Sequence, residues 1–182
     1  MIDKSDILLI LDLDETLVYA TEEKLEIVED FKYENYFVYK RPGLDQFLKE
    51  INKHFKIGIW SSAGDTYVNE IANNIKPDEI NFEIVWARSK CTHRRDLDLD
   101  LYYWEKRLDK LKKKGFQLEK ILIVDDSPEK SKNNFGNAIY IKEFKGEIAD
   151  RELAKLFDYL LTLKFVDNVR RIEKRNWKAK YH

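Results

Sequence analysis

The chain has 182 residues, a length that suits one folded domain over residues 1–182, and its 43% hydrophobic content can build a core without covalent staples. With 33 basic and 34 acidic residues its net charge is −1, which excludes a global attraction to nucleic acid or anionic membranes. The lone cysteine, Cys91, excludes an internal disulfide, and no apolar run approaches the roughly 20 residues of a membrane span.

The first residues, Met1 to Asp6, carry charges where a secretory signal would be apolar, so the chain reads as intracellular and soluble, cytoplasmic or, in a eukaryote, nuclear. Ile7–Leu11 is an unbroken apolar run, expected to be a strand buried on both faces, and it leads into Asp12-Leu13-Asp14-Glu15-Thr16. Leu25–Glu29 and Tyr36–Lys40 are rich in β-branched and aromatic residues and predict a small hairpin or edge ribbon. After Arg41-Pro42-Gly43, the spacing of Leu44, Phe47, Leu48 and Ile51 predicts a helix.

Lys56–Trp60 is the next predicted strand, ending at Ser61-Ser62-Ala63-Gly64. Asp65 or Thr66 is expected to cap a helix that turns Val68, Ile71 and Ala72 inward. Residues 81–100 read as an insertion beside the core. A helix is predicted over Tyr102–Lys113, with Leu108 and Leu111 inward and Gly115 as its stop. Ile121–Val124 predicts a strand that ends at Asp125-Asp126-Ser127-Pro128, and Ala138–Ile141 a last one. Leu153, Leu156, Phe157, Leu160 and Leu161 mark an amphipathic helix that closes a core over residues 6–163. Residues 164–182 form a basic helix or tail with seven Lys/Arg against Asp167 and Glu173, expected to be solvated. The alternation implies an α/β fold, a parallel sheet with right-handed crossovers.

Asp12/Asp14, Ser61 and Asp125/Asp126 each follow a predicted strand. Ligands of open parallel sheets bind outside the carboxyl ends of the strands, so topology brings these groups together. Clustered carboxylates repel, by roughly 4 kcal/mol for two unit charges about 4 Å apart at an effective dielectric near 20. A divalent cation relieves that repulsion. A site with oxygen ligands and no Cys or His suits Mg²⁺, and beside it a carboxylate can act as a nucleophile.

Those residues resemble the haloacid dehalogenase superfamily of aspartate-nucleophile phosphatases, in particular the branch of the RNA polymerase II C-terminal-domain phosphatases and their small, NLI-interacting-factor-like relatives. The first motif stands as Asp12-Leu13-Asp14-Glu15-Thr16-Leu17-Val18, and the branch's Lys-Arg-Pro as Lys40-Arg41-Pro42-Gly43. The hydroxyl motif is Ser61, with Ser62 as the other register. The lysine motif falls on Lys106, with Lys110 and Lys112 as alternatives, and the last motif is Asp125-Asp126-Ser127-Pro128. Many relatives carry Asn where this chain has Asp126.

The resemblance implies a three-layer Rossmann-like sheet flanked by helices, with small β insertions and no large cap. It implies an Mg²⁺-dependent phosphomonoester hydrolase working through an aspartyl phosphate on Asp12. Asp14 would serve as acid and then base, Ser61 and Lys106 would hold the phosphoryl oxygens with Thr16 and Ser62 nearby, and Asp12, the backbone carbonyl of Asp14 and Asp126 would bind the metal, with Asp125 beside them. The implied partner is a phosphorylated protein, met by a monomeric enzyme, with phosphoserine or phosphothreonine entering an open crevice. Trp86, Tyr102, Tyr103 and Trp104 could line a peptide groove, and Arg88 or Arg94 could hold a second phosphate. Rival readings are a small-molecule phosphatase, a nucleic-acid-end phosphatase using the basic tail, and a non-catalytic binding module. A receiver domain fits poorly, because its phosphorylated Asp lies on a middle strand.

Overall fold

The computed structural model describes residues 4–96 and 100–180. The run expected to be buried on both faces forms β1 (Leu8–Leu11), with every side chain buried. The polypeptide then builds an antiparallel ribbon from β2 (Val18–Thr21), β3 (Phe31–Tyr33) and β4 (Tyr36–Lys40), in the order β2-β4-β3. Leu25–Glu29, predicted to belong to this ribbon, is a loop. Val28 is 85% exposed, so its apolar side chain has no sheet face to cover, and the Leu25 N–H donates to the Tyr39 hydroxyl instead of a strand.

Next come α1 (Leu44–Asn52) and β5 (Lys56–Trp60), both as expected, then α2 (Asp65–Ile75). The cap of α2 is Gly64, not Asp65 or Thr66; the Asp65 carboxylate is occupied by the N–H and hydroxyl of Ser89. Part of the region read as an insertion joins the main sheet as β6 (Ile84–Trp86). The true insertion is a hairpin, β7 (Thr92–Asp96) and β8 (Leu101–Glu105). Residues 97–99 of the alternating Asp/Leu stretch lie outside the described residues.

β8 overturns the helix predicted over Tyr102–Lys113. Its Leu-Tyr-Tyr-Trp-Glu run is aromatic-rich, and cross-strand pairing of Trp104 with His93 and Tyr102 with Arg95 decides for strand. Leu108 and Leu111 still point inward, from a 3₁₀ segment over Leu108–Lys114 that ends at Gly115 in the left-handed conformation (φ 87°). The core closes with β9 (Ile121–Asp125), β10 (Ala138–Tyr140) and α3 (Glu152–Leu163).

The main sheet has the order β10-β9-β1-β5-β6 and every pairing is parallel. Right-handed crossovers that run outward from β1 in opposite directions fall on opposite faces. On one face Leu9, Leu11, Ile57, Ile59, Leu122 and Val124 pack in one cluster with the apolar stripes of α1, α2 and α3. On the other, Leu8, Ile10, Trp60, Ile121 and Ile123 meet Leu108 and Leu111. β5 can approach β6 closely because position 58 is Gly; a Cβ there would lie 2.7 Å from Ile84 Cγ1 and 2.9 Å from Ile10 Cδ1.

The basic tail is not a continuous helix. It forms short 3₁₀ turns at Val169–Arg171 and Trp177–Lys180, buries Trp177, and donates the Trp177 indole N–H to the Tyr140 carbonyl at the edge of β10. Lys174 is buried, with its ammonium on the carbonyls of Val169 and Ile172. Among the described residues no helix is long and apolar enough to cross a membrane.

Candidate active site

β1 is the point where the strand order reverses, with β9 on one side and β5 on the other, so the crevice opens at its carboxyl end. Just past it, Leu13 is fully buried, and the alternation of extended backbone turns Asp12 and Asp14 away from the core together. The chain then turns tightly. The Leu13 carbonyl accepts the N–H groups of Thr16, Leu17 and Val18, and Glu15 adopts a left-handed φ of 56°.

Asp12 is 1% exposed. Its Oδ1 receives Lys106 Nζ at 2.5 Å, and the same ammonium donates to Asp125 Oδ2 at 2.6 Å. Asp125 Oδ1 in turn accepts the Ser127 N–H at 2.9 Å. Burial pulls the Lys106 pKa down, but the charges of Asp12 and Asp125 together reverse this and hold it above the ordinary lysine value. Burial, and then the Asp12 charge, push Asp125 up to about 7.

The fold brings Asp126 to the same place. One carboxylate oxygen from each of Asp12, Asp125 and Asp126 lies within 4.8 Å of the others. Thr16 Oγ1 donates to Asp126 Oδ1 at 3.4 Å and Ser127 Oγ to Asp126 Oδ2 at 3.1 Å. Asp12 Oδ2 is buried without a hydrogen-bond partner, and Lys130 Nζ approaches it only to 3.9 Å. An orphaned buried carboxylate oxygen facing two further carboxylates fits a hard divalent cation.

Asp14 does not join this trio through its carboxylate, and the resemblance implies a metal contact only from its backbone carbonyl. Tyr67 donates its hydroxyl to Asp14 Oδ1 at 2.5 Å and Ser61 donates to Oδ2 at 3.1 Å. Burial raises the Asp14 pKa, the Asp12 charge adds to the rise, and the two hydroxyls oppose it.

Of the other sequence candidates, Ser62 offers its backbone carbonyl to Arg88 Nε at 2.8 Å. The exposed Arg88 guanidinium lies over the Trp104 ring, at 5.6 Å. Arg94 pairs with the buried Glu105. Trp86 stacks edge-to-face on the buried Trp60, and Trp104 packs partly into the second core cluster; Tyr102 is 62% exposed. Lys110 donates to the Lys90 and Cys91 carbonyls, away from the acid cluster.

The family model for NLI interacting factor-like phosphatases matches residues 7–170. The chain belongs to that family. A relative from Dictyostelium discoideum, CTD small phosphatase-like protein 2, is 30% identical over 170 residues, covering 89% of this chain and 28% of its own length. CTD nuclear envelope phosphatase 1B of Danio rerio is 26% identical over 184 residues, covering 93% of this chain and 71% of its own. The chain thus spans little more than a quarter of the first and most of the second. Among solved structures, the RNA polymerase II CTD phosphatase Fcp1 aligns over 93% of this chain and 59% of its own, with a TM-score of 0.58 at 18% identity. A phospho-aspartyl intermediate analogue of phosphoserine phosphatase aligns over 86% and 99%, with a TM-score of 0.50 at 18% identity. At these identities they show the fold, which is of the haloacid dehalogenase type.

For this family member, sequence reasoning missed Tyr67, Lys130 and the residues that seat Lys106. The Lys106 backbone N–H donates to the Lys130 carbonyl, its carbonyl accepts from Asn134, and the preceding Glu105 accepts from Asn133. Tyr67 carried one available signal, because it lies six residues past Ser61, in the first turn of a helix that starts at the crevice. Lys130 carried none beyond its nearness to Asp125-Asp126.

Proposed function

We propose that this chain is an Mg²⁺-dependent phosphomonoester hydrolase that uses Asp12 as nucleophile, with phosphoserine or phosphothreonine of a protein as substrate. The observation that carries this reading is Asp12 itself: buried, oriented through one oxygen by Lys106, and left with its other oxygen free of hydrogen bonds. Asp12 and Asp126 would hold the metal, backed by Asp125, which Lys106 and the Ser127 N–H keep in place. Bound magnesium supplies positive charge that offsets the carboxylates and the phosphoryl oxygens.

Asp12 attacks phosphorus as the bond to the leaving alcohol breaks, forming an aspartyl phosphate. Asp14, raised above the ordinary carboxyl range, delivers its proton to the departing alkoxide and then takes one from the water that hydrolyses the intermediate. Lys106 keeps Asp12 aimed and offsets charge on the transferring group, while the Ser61 hydroxyl turns from Asp14 to a phosphoryl oxygen. Thr16 fixes Asp126 from behind. The crevice is open, since the described residues include only the small ribbon and the β7–β8 hairpin beside it, and this favours a phosphorylated side chain on a protein over an enclosed metabolite.

The test is Mg²⁺-dependent turnover of para-nitrophenyl phosphate at about pH 5 to 7, followed by a panel of phosphopeptides, nucleotides and sugar phosphates. Asp12→Asn should abolish turnover and keep the fold. Turnover that survives in this variant removes the nucleophile assignment.

A further inference from the structure

The crevice continues past Asp14 into a cavity of about 590 Å³, ordinary in size for a ligand pocket. Its wall carries the phenol rings of Tyr33, Tyr36 and Tyr67 and the carboxylates of Asp14, Glu34 and Asp65, with no Lys, Arg or His. Local structure explains the grouping. Tyr33 and Tyr36 are cross-strand partners that flank the two-residue turn joining β3 and β4, and Glu34 sits in that turn. The Tyr33 and Tyr67 rings meet edge to face, with centroids 5.3 Å apart. Glu34 holds a left-handed φ of 49°, a conformation in which Gly, Asn or Asp is the usual residue, so Glu stands there against local preference.

Around Glu34 and Asp65 this wall is electronegative, because those carboxylates carry full charge and ring faces partial negative charge. The phosphate end of the same crevice differs in holding two ammonium groups, Lys106 and Lys130, beside Asp12. A ligand that fills both ends bears a phosphate and an organic cation side by side. Glu34 and Asp65 are exposed, so the cavity is open along its rim and a polypeptide can run through it.

We propose that this cavity receives a Lys or Arg side chain adjacent to the phosphorylated residue, so that the enzyme selects basic phosphopeptides; this rests on the phosphatase reading above. A second acid or phosphate next to the scissile group would be repelled from the same wall.

Fluorescent phosphoserine peptides that differ only in the residues flanking the phosphoserine (Arg, Ala or Glu) test this by anisotropy. They are bound to the full chain carrying Asp12→Asn, with Mg²⁺ present. The Arg peptide should bind about tenfold more tightly than the Glu peptide, with Ala between. Glu34→Lys should flatten or reverse that order. Equal affinities, or an order unmoved by Glu34→Lys, overturn the proposal, as does phosphocholine competing better than the Arg peptide, which would make the cation that of a small molecule. Turnover by the wild-type chain separates the two claims. Ranked binding without hydrolysis of any phosphomonoester sinks the phosphatase reading and leaves the cation site standing; hydrolysis without ranking does the reverse.

Discussion

Lys106 and Asp12 are separated by 94 residues in the chain and by 2.5 Å in the fold, and Asp125 holds the same ammonium at 2.6 Å. Lys106 is fully buried, and its ammonium is the cation that both carboxyl groups share in the interior. Lys106→Met should therefore do two things. Removing one partner of a buried ion pair costs about 3–5 kcal/mol, seen as a lower melting temperature. Turnover should fall by at least about a hundredfold, the scale of losing one stabilising donor at a transferring group. A variant with normal melting and normal turnover would show that the lysine is a bystander.

Tyr67 donates its hydroxyl to Asp14, so its removal should be felt where Asp14 is needed most. Proton delivery matters for alkyl leaving groups such as serine and little for activated aryl groups. Tyr67→Phe should lower turnover of a phosphoserine peptide about tenfold while para-nitrophenyl phosphate falls much less. A uniform loss on both substrates would assign the tyrosine a packing role only.

The parts of this fold that were legible in the sequence are those where one local rule dominates. β1, β5 and β9 are short apolar runs that end in polar residues, and the apolar stripe Leu44, Phe47, Leu48, Ile51 is visible as a helix face. Where two periodicities compete, tertiary pairing decides. Tyr102 to Lys113 has inward leucines at helical spacing in its second half, but its first half is claimed by His93 and Arg95 across the hairpin. The acid motifs were legible because each is a contiguous signature. Tyr67 and Lys130 were not, since a tyrosine in a helix and a lysine in a chain with 33 basic residues carry no mark until the fold aims them at Asp14 and Asp12.

Asp126 and Lys130 should move metal affinity in opposite directions. Asp126 contributes one of three clustered carboxylates, and Lys130 brings a competing positive charge to Asp12 Oδ2. Asp126→Asn is expected to raise the Mg²⁺ concentration for half-maximal thermal stabilisation about tenfold, and Lys130→Ala to lower it. A shift of the same sign in both would mean that the cation does not bind among these carboxylates.

Arg41 and Asp150 give the fold a pH-dependent clamp behind the loop that carries Asp12 and Asp14. The Arg41 guanidinium is fully buried; it grips both oxygens of Asp150 at 2.9 and 2.8 Å and reaches the carbonyls of Thr16 and Lys142, so the first loop is tied to the segment leading into α3. Burial pushes the Asp150 carboxyl up, but Arg41 and the Glu152 N–H outweigh it and hold the pKa below the ordinary value. A carboxylate depressed in the folded state binds fewer protons there than in the unfolded chain. Its stabilising contribution is therefore complete above the unfolded value of about 3.9 and fades as pH falls through the lower, folded one. Asp150→Asn should cost about 3 kcal/mol near neutral pH, because it strips a buried guanidinium of its counter-charge. In urea unfolding, the gap between wild type and variant should stay constant down to about pH 4 and then close on further acidification. A gap that persists at the acid end would show that the pair acts through shape and not through charge.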